Sequence, residues 1–200
     1  MPRTRKQFDA IREATKERIA AAGLKLFSHK GLAATSIQDI ASAAGVSVGL
    51  MYHYYKSKED LFNELVEVTV TSASESIKAL FQQEPLSPAE KIKIFSEEVL
   101  TDIKRGDSIS QYYMLMVLAA LAEDIPEKAA KISEEGFAPF DYLAKAILEG
   151  QRLGEIKPGD PYEIAMTYFA LIQGLAIYKL TLGDRFIAPK VELLTGLLLQ

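Results

Sequence analysis

Apolar residues recur at three- and four-residue spacing along almost the whole chain, a pattern that predicts helices from end to end. Ile11, Ile19, Ala22, Leu26 and Phe27 mark the inward face of a first helix over about Phe8 to His29, which Gly31 ends. Ile37, Ile40 and Ala41 mark a second, started by a capping box of either Thr35 with Gln38 or Ser36 with Asp39. Gly45 sits where the chain must turn sharply, and only glycine takes a positive φ there without steric cost. A third helix, roughly Ser47 to Tyr54, is too short to stand alone. Val46 and Met51 anchor it, which leaves Val48, Gly49, Tyr52 and His53 facing outward.

Ser57 with Asp60 starts a long helix to about Gln83, stopped by Glu84-Pro85. Ser87-Pro88-Ala89-Glu90 combines a cap, a proline at the first helical position and an acid at the third, and Arg105-Gly106-Asp107 ends the helix it begins. Ser108 with Gln111 can start the next, whose MLMVLAALA run predicts burial on most sides. Glu123-Asp124-Ile125-Pro126 breaks the pattern, and Gly136 and Pro139 interrupt it before a helix to about Leu153. After a loop at Gly154 and Pro158-Gly159, Asp160-Pro161-Tyr162-Glu163 begins a strongly apolar helix to about Leu182, and a last short helix holds Val191 to Leu199. No strand, internal repeat or low-complexity tract is evident. The expectation is an all-α fold: an N-terminal three-helix, helix-turn-helix DNA-binding domain over residues 1–56, and a helical effector-binding and dimerisation domain over 57–200.

Charge distribution changes the picture more than its total. The net charge of the 200 residues is −4, yet residues 1–60 carry +4 and residues 61–200 carry −8. Phosphates feel the local field within a Debye length of about 8–10 Å, so a basic N-terminal part suits nucleic acid. Arg3, Arg5 and Lys6 could form an arm on DNA or an ordinary solvated tail. The N-terminus has no apolar core resembling a secretory signal. The charge-free stretch Ile164 to Tyr178 is 15 residues, short of the ~20 that span a bilayer. A soluble cytoplasmic protein that engages no membrane is expected.

DNA contacts can be assigned residue by residue. Ser36 and the N–H groups at the start of the second helix suit a phosphate, and Gln38, one turn in, reaches a phosphate or a base edge. Ser47 opens the third helix with a small hydroxylated side chain that a major groove accepts. Val48 can meet a thymine methyl, and Gly49 permits close approach of the helix. His53 reads equally as a base contact or a solvated side chain. Val48 and Leu50 are apolar, so specificity leans on thymine methyls and DNA shape.

The segment AGVSVGLMYHYYKSKEDLF resembles the signature of the TetR family of one-component transcriptional regulators, and IAAAGLKLFSHKGLAATSIQDIA resembles that family's first two helices. The likeness covers about Ile19 to Leu61. A weaker one, in LEGQRLGEIKPGDPYEIAMTYFALIQGL, resembles the C-terminal domains of some members. The resemblance implies that Tyr52 and Tyr54 donate hydroxyls to phosphates and that Lys58 binds one at the next helix start, with Lys56 adding to them. For Tyr54 and Tyr55 packing against the first helix is the alternative, favoured for Tyr55.

The resemblance also implies that the last two helices pair with their copies in a homodimer. Leu171, Gly174, Leu175, Leu193 and Leu197 are the interface candidates, and Ile172 and Leu198 add to an apolar surplus. Tyr113, Met116, Phe137, Phe140, Met166 and Phe169 are candidates to line a pocket for a small apolar or amphipathic effector, against the simpler reading as core.

An enzyme finds little support. Both histidines, His29 and His53, lie in the first 60 residues and the chain has no cysteine. A Ser-His triad or a histidine or thiolate metal site cannot be built in the second domain, and no catalytic residue, metal or cofactor is expected. The expectation is a ligand-released repressor on double-stranded operator DNA. An architectural or division-linked DNA-binding protein of the same fold, or a helical partner-binding module, are the alternatives.

Overall fold

The computed structural model describes residues 5–121 and 138–200. The described residues form nine α-helices: α1 (Arg5–Lys30), α2 (Ile37–Ala44), α3 (Val48–Tyr54), α4 (Lys58–Phe81), α5 (Pro88–Arg105), α6 (Asp107–Leu121), α7 (Ala138–Arg152), α8 (Pro161–Leu182) and α9 (Val191–Thr195). The break at Glu123 to Pro126, Gly136 and the pocket candidate Phe137 lie outside the described residues.

Local signals account for most helix boundaries. Ser36 and Asp39 form the complete capping box of α2, and Ser87 and Glu90 that of α5. Thr35 instead is buried and donates to the Gly31 carbonyl. Asp160 caps α8 by accepting from the N–H groups of Tyr162 and Glu163. Gly45 takes φ +66° between α2 and α3, the left-handed conformation the turn requires.

The helices enclose two apolar clusters. The first joins Ile19, Leu24 and Phe27 of α1, Ile40 of α2, Met51 of α3, and Leu61, Phe62, Leu65 and Val66 of α4, with Leu115 and Ala119 of α6 closing it. Phe27 and Phe62 meet edge to face at 5.4 Å. The second joins the far end of α4 at Ile77 to α5, α7, α8 and α9. Thus α4 enters both, and the first cluster extends past residue 57.

Several expectations change in three dimensions. Ile11 is 45% exposed, because the first turns of α1 extend beyond the other helices' reach. In α6 only Leu115 and Ala119 among its apolar residues are fully buried, so that helix is half-covered rather than enclosed. The last helix ends at Thr195 instead of Leu199. Residues 197–200 turn back along the loop after α7, where the Lys157 N–H donates to the Leu198 carbonyl at 2.8 Å and Ile156 bridges Leu199.

Helix α8 and the turn after it, Pro161–Arg185, are long and apolar enough by composition to cross a membrane. In this fold the helix packs on α6 and α7 and buries Ala165, Tyr168, Phe169, Ile172 and Ala176. Its opposite face carries Met166, Ala170 and Leu171 outward. Ile172 and Leu198, expected in the apolar surplus, are instead core residues of the second cluster.

Candidate nucleic-acid interface

Helix α3 is held from one side only. Ser47 caps it by accepting from the Leu50 N–H at 3.1 Å, and Met51 is its single fully buried residue. The seven-residue helix relies on that anchor, since so short a helix has little stability of its own. Val48, Gly49, Tyr52 and His53 fall on the outer side, all exposed, with Tyr52 at 53%. A Cβ added to Gly49 would meet nothing within 4 Å, so the glycine leaves open space on the outer face.

Beside this face lies a shallow cleft of about 420 Å³ lined by Ala33 to Gln38, Tyr52 and Lys56 to Glu59. It brings together Ser36, Gln38, Tyr52, Lys56 and Lys58 from three sequence regions. The starts of α2 and α4 converge on it, and their unpaired N–H groups carry partial positive charge. The alanines at 33 and 34 leave it accessible, a contribution for which the sequence offered no chemical signal.

Three expected phosphate donors are placed differently from one another. The Ser36 hydroxyl donates to the Asp39 carboxylate at 2.8 Å, so its proton is already engaged. The hydroxyl and backbone N–H of Ser36 hold the Asp39 carboxyl below its usual range. The Lys58 ammonium donates to the carbonyls of Leu32 (2.8 Å), Ala33 (3.2 Å) and Thr35 (2.8 Å). All three of its protons thereby close the loop between α1 and α2. Tyr54 turns toward α1 and donates to the Arg12 carbonyl at 3.3 Å. Gln38, Tyr52 and Lys56 remain the exposed donors of the set.

Tyr55 is buried, as its packing role requires, and its hydroxyl donates to Glu64 of α4 at 2.9 Å. Burial, together with the nearby Glu64 carboxylate, pushes this phenol upward from its ordinary value. Glu64 also pairs with Lys16 of α1 at 3.0 Å. Neither Lys16 nor Glu64 is distinguishable in the sequence from other charged surface positions.

Among the proposed pocket residues, Tyr113, Phe140 and Phe169 share the second apolar cluster, with the Phe140 and Phe169 rings 4.5 Å apart. Met116 packs on the first cluster instead. Met166 is 52% exposed and belongs to the outer stripe of α8, not to an interior. Of the dimer candidates, Leu171, Leu193 and Leu197 are exposed, and Gly174 and Leu175 half-buried beside them. Among the described residues no group of three or more histidine and acidic side chains is placed to hold a metal ion.

Comparison with known proteins agrees with this geometry. The family model of bacterial regulatory proteins, tetR family, matches residues 19–65. The HTH-type transcriptional regulator AcrR of Shigella flexneri is 36% identical over 97 residues, 46% of this chain and 45% of that protein. The matched part is therefore under half of that relative's length. The HTH-type transcriptional repressor DhaR of Mycobacterium sp. (strain GP1) is 22% identical over 147 residues, 73% of this chain and 72% of its own. In three dimensions the SmeT–triclosan complex superposes with a TM-score of 0.70 at 16% identity, covering 94% of this chain and 92% of that one, which shows a shared fold. The helix-turn-helix thus lies inside the segment that matches the tetR family of bacterial regulatory proteins, and the helices beyond it are arranged as in that shared fold.

Proposed function

We propose that the chain is a cytoplasmic, homodimeric repressor that occupies operator DNA and is released by a small apolar or amphipathic molecule. The observation that carries this reading is the pairing of two exposed faces on one chain. One is the outer side of α3, small and apolar at Val48 and Gly49 with phosphate donors beside it. The other is the set of exposed apolar side chains Met166 and Leu171 of α8, Leu193 of α9 and Leu197 just beyond it. A two-fold axis through the second would present two copies of the first to successive major grooves about 34–36 Å apart.

Domains 1–56 and 57–200 then divide the work into reading and sensing. Within the first, Gln38, Tyr52 and Lys56 hold phosphates, and Val48 and Gly49 meet base edges; His53 and Ser47 flank them. Ligand release follows if the effector binds the DNA-incompetent arrangement more tightly. The cluster around Tyr113, Phe140 and Phe169 suits such a molecule, and the triclosan bound by SmeT supports an apolar effector.

Selection of operators from random duplex DNA, followed by a salt titration, tests the reading. A palindromic site is expected, bound by a dimer. Its affinity should fall roughly 10³–10⁵-fold between 50 and 200 mM salt if about 6–10 phosphates are neutralised. Binding without sequence preference would favour an architectural protein, and a flat salt profile would sink DNA binding altogether.

A further inference from the structure

Helix α4, like α6, enters both apolar clusters, yet none of the residues in its middle is fully buried, and Val70 alone of them packs partly on the first cluster. Val66 is the last fully buried residue on the first cluster and Ile77 the first on the second. The intervening EVTVTSASES, residues 67–76, is rich in threonine, valine and serine, which form helix less readily than alanine or leucine. Thr69 bonds back to the Leu65 carbonyl at 2.6 Å, a contact that slightly weakens and bends helices. The N-terminal turns of α4 are held differently. Leu61 presses on Gly23 of α1, and the Lys58 ammonium ties the helix start to the loop after α1.

The remaining tie involves the recognition helix. Tyr55 is the C-cap of α3: its N–H donates to the Met51 carbonyl at 3.0 Å while its hydroxyl reaches Glu64 Oε1 at 2.9 Å. The Lys16 ammonium reaches the same Oε1 at 3.0 Å. One carboxylate oxygen therefore joins the end of α3, the middle of α1 and the second turn of α4. Apolar contact through Met51 fixes the depth of so short a helix better than its direction, because apolar packing has no preferred angle comparable to a hydrogen bond's, and the 3.3 Å bond from Tyr54 to the Arg12 carbonyl ties it to α1 and not to α4.

We propose that Glu64 is a positioning residue: by binding Tyr55 and Lys16 through one oxygen it fixes the direction of the recognition helix relative to α4 and α1. This role rests on the operator-binding reading above for its consequence, but the clamp itself does not. In a dimer the angle of α3 to α4 sets where each reading face points. Losing the clamp broadens the range of half-site separations that the two faces can meet.

Three full-length variants test it. Glu64→Ala removes both bonds, Tyr55→Phe removes one and keeps the ring, and Glu64→Gln keeps an oxygen for Tyr55 while losing the charge. Affinity is measured on operators whose half-sites are moved together or apart by single base pairs, alongside amide hydrogen exchange. Glu64→Ala should lose about three- to tenfold on the best spacing and less on the others, flattening the profile. Tyr55→Phe should add nothing further in the Glu64→Ala background, and Glu64→Gln should recover part of the profile. Exchange should quicken at residues 52–56 while α2 keeps its protection. A uniform loss at every spacing, or an unchanged profile, overturns the proposal. If the wild type selects no operator the repressor reading falls, and the exchange arm still decides the clamp: unchanged protection at 52–56 in Glu64→Ala refutes it.

Discussion

The Tyr168 hydroxyl donates a hydrogen bond of 2.6 Å to Ser96 Oγ inside the second apolar cluster, because the Ser96 proton is already given to the Ile92 carbonyl at 2.6 Å. Both residues are essentially sealed from solvent. The direction of donation makes the two partners unequal. Tyr168→Phe removes the donor and leaves Ser96 still bonded to Ile92, a loss of about 1 kcal/mol. Ser96→Ala strands a buried phenol and should cost about 1–3 kcal/mol. Urea unfolding should rank Ser96→Ala as the less stable; the reverse order would mean that the serine is the donor.

The same burial makes the fold sensitive to alkali. Removal from water pushes the Tyr168 phenol up to about 12, and burial raises Tyr55 and Tyr113 in the same direction. In the unfolded chain a tyrosine loses its proton near pH 10. Above that pH the folded state holds more protons, so stability falls as pH rises. The contribution is full below about pH 10 and fades through about pH 12. Thermal melts over that window should show a steep loss, and Tyr168→Phe should make it shallower.

Two glycines separate folding from reading. A Cβ on Gly23 would stand 2.6 Å from Leu61 Cδ2 and 3.5 Å from Phe27, both fully buried, so the crowding cannot be relieved outward. Gly23→Ala should cost about 1–3 kcal/mol despite the better helix propensity of alanine. Gly49→Ala meets nothing within the protein and should hold or raise the melting temperature, while weakening operator binding if the helix lies close against the bases. Equal effects of both substitutions on stability would contradict the packing.

Lysines 56 and 58 should part company. Lys58→Ala releases three carbonyls of the loop between α1 and α2 and should lower stability by about 1.5–3 kcal/mol, with any loss of DNA affinity following from that. Lys56 is exposed, and Lys56→Ala should leave the melt unchanged but reduce the salt slope of DNA binding by about one counterion. A Lys58→Ala protein with native stability would return that side chain to the phosphate contacts.

The apolar stripe is predicted to be a dimer contact. Leu171→Glu or Leu193→Glu should give folded monomers by sedimentation, since Leu193 is 69% exposed in the single chain. Leu198→Glu places a charge inside the second cluster and should unfold that region instead. Dimers that survive both Leu171→Glu and Leu193→Glu would move the interface elsewhere.

Sequence alone determined the helices and much of the reading head. Caps such as Ser36 with Asp39 and Asp160 with Glu163, the turn at Gly45 and the anchor at Met51 are local, settled within a few residues, and so are legible from spacing. Whether a donor stays free is not local. Lys58 is spent on carbonyls 23 to 26 residues away, and Tyr54 on one 42 residues away. Tyr55 and Glu64 are nine residues apart yet meet only because α4 turns back along α1. The faces of α8 were also undecided, because a helix apolar on every side has no periodic signal to say which side is covered. Packing against α6 and α7 made that choice, drawing Ile172 inward and leaving Met166 and Leu171 outside. Short-range backbone preference wrote the elements; long-range packing decided which of their side chains remain available to bind anything.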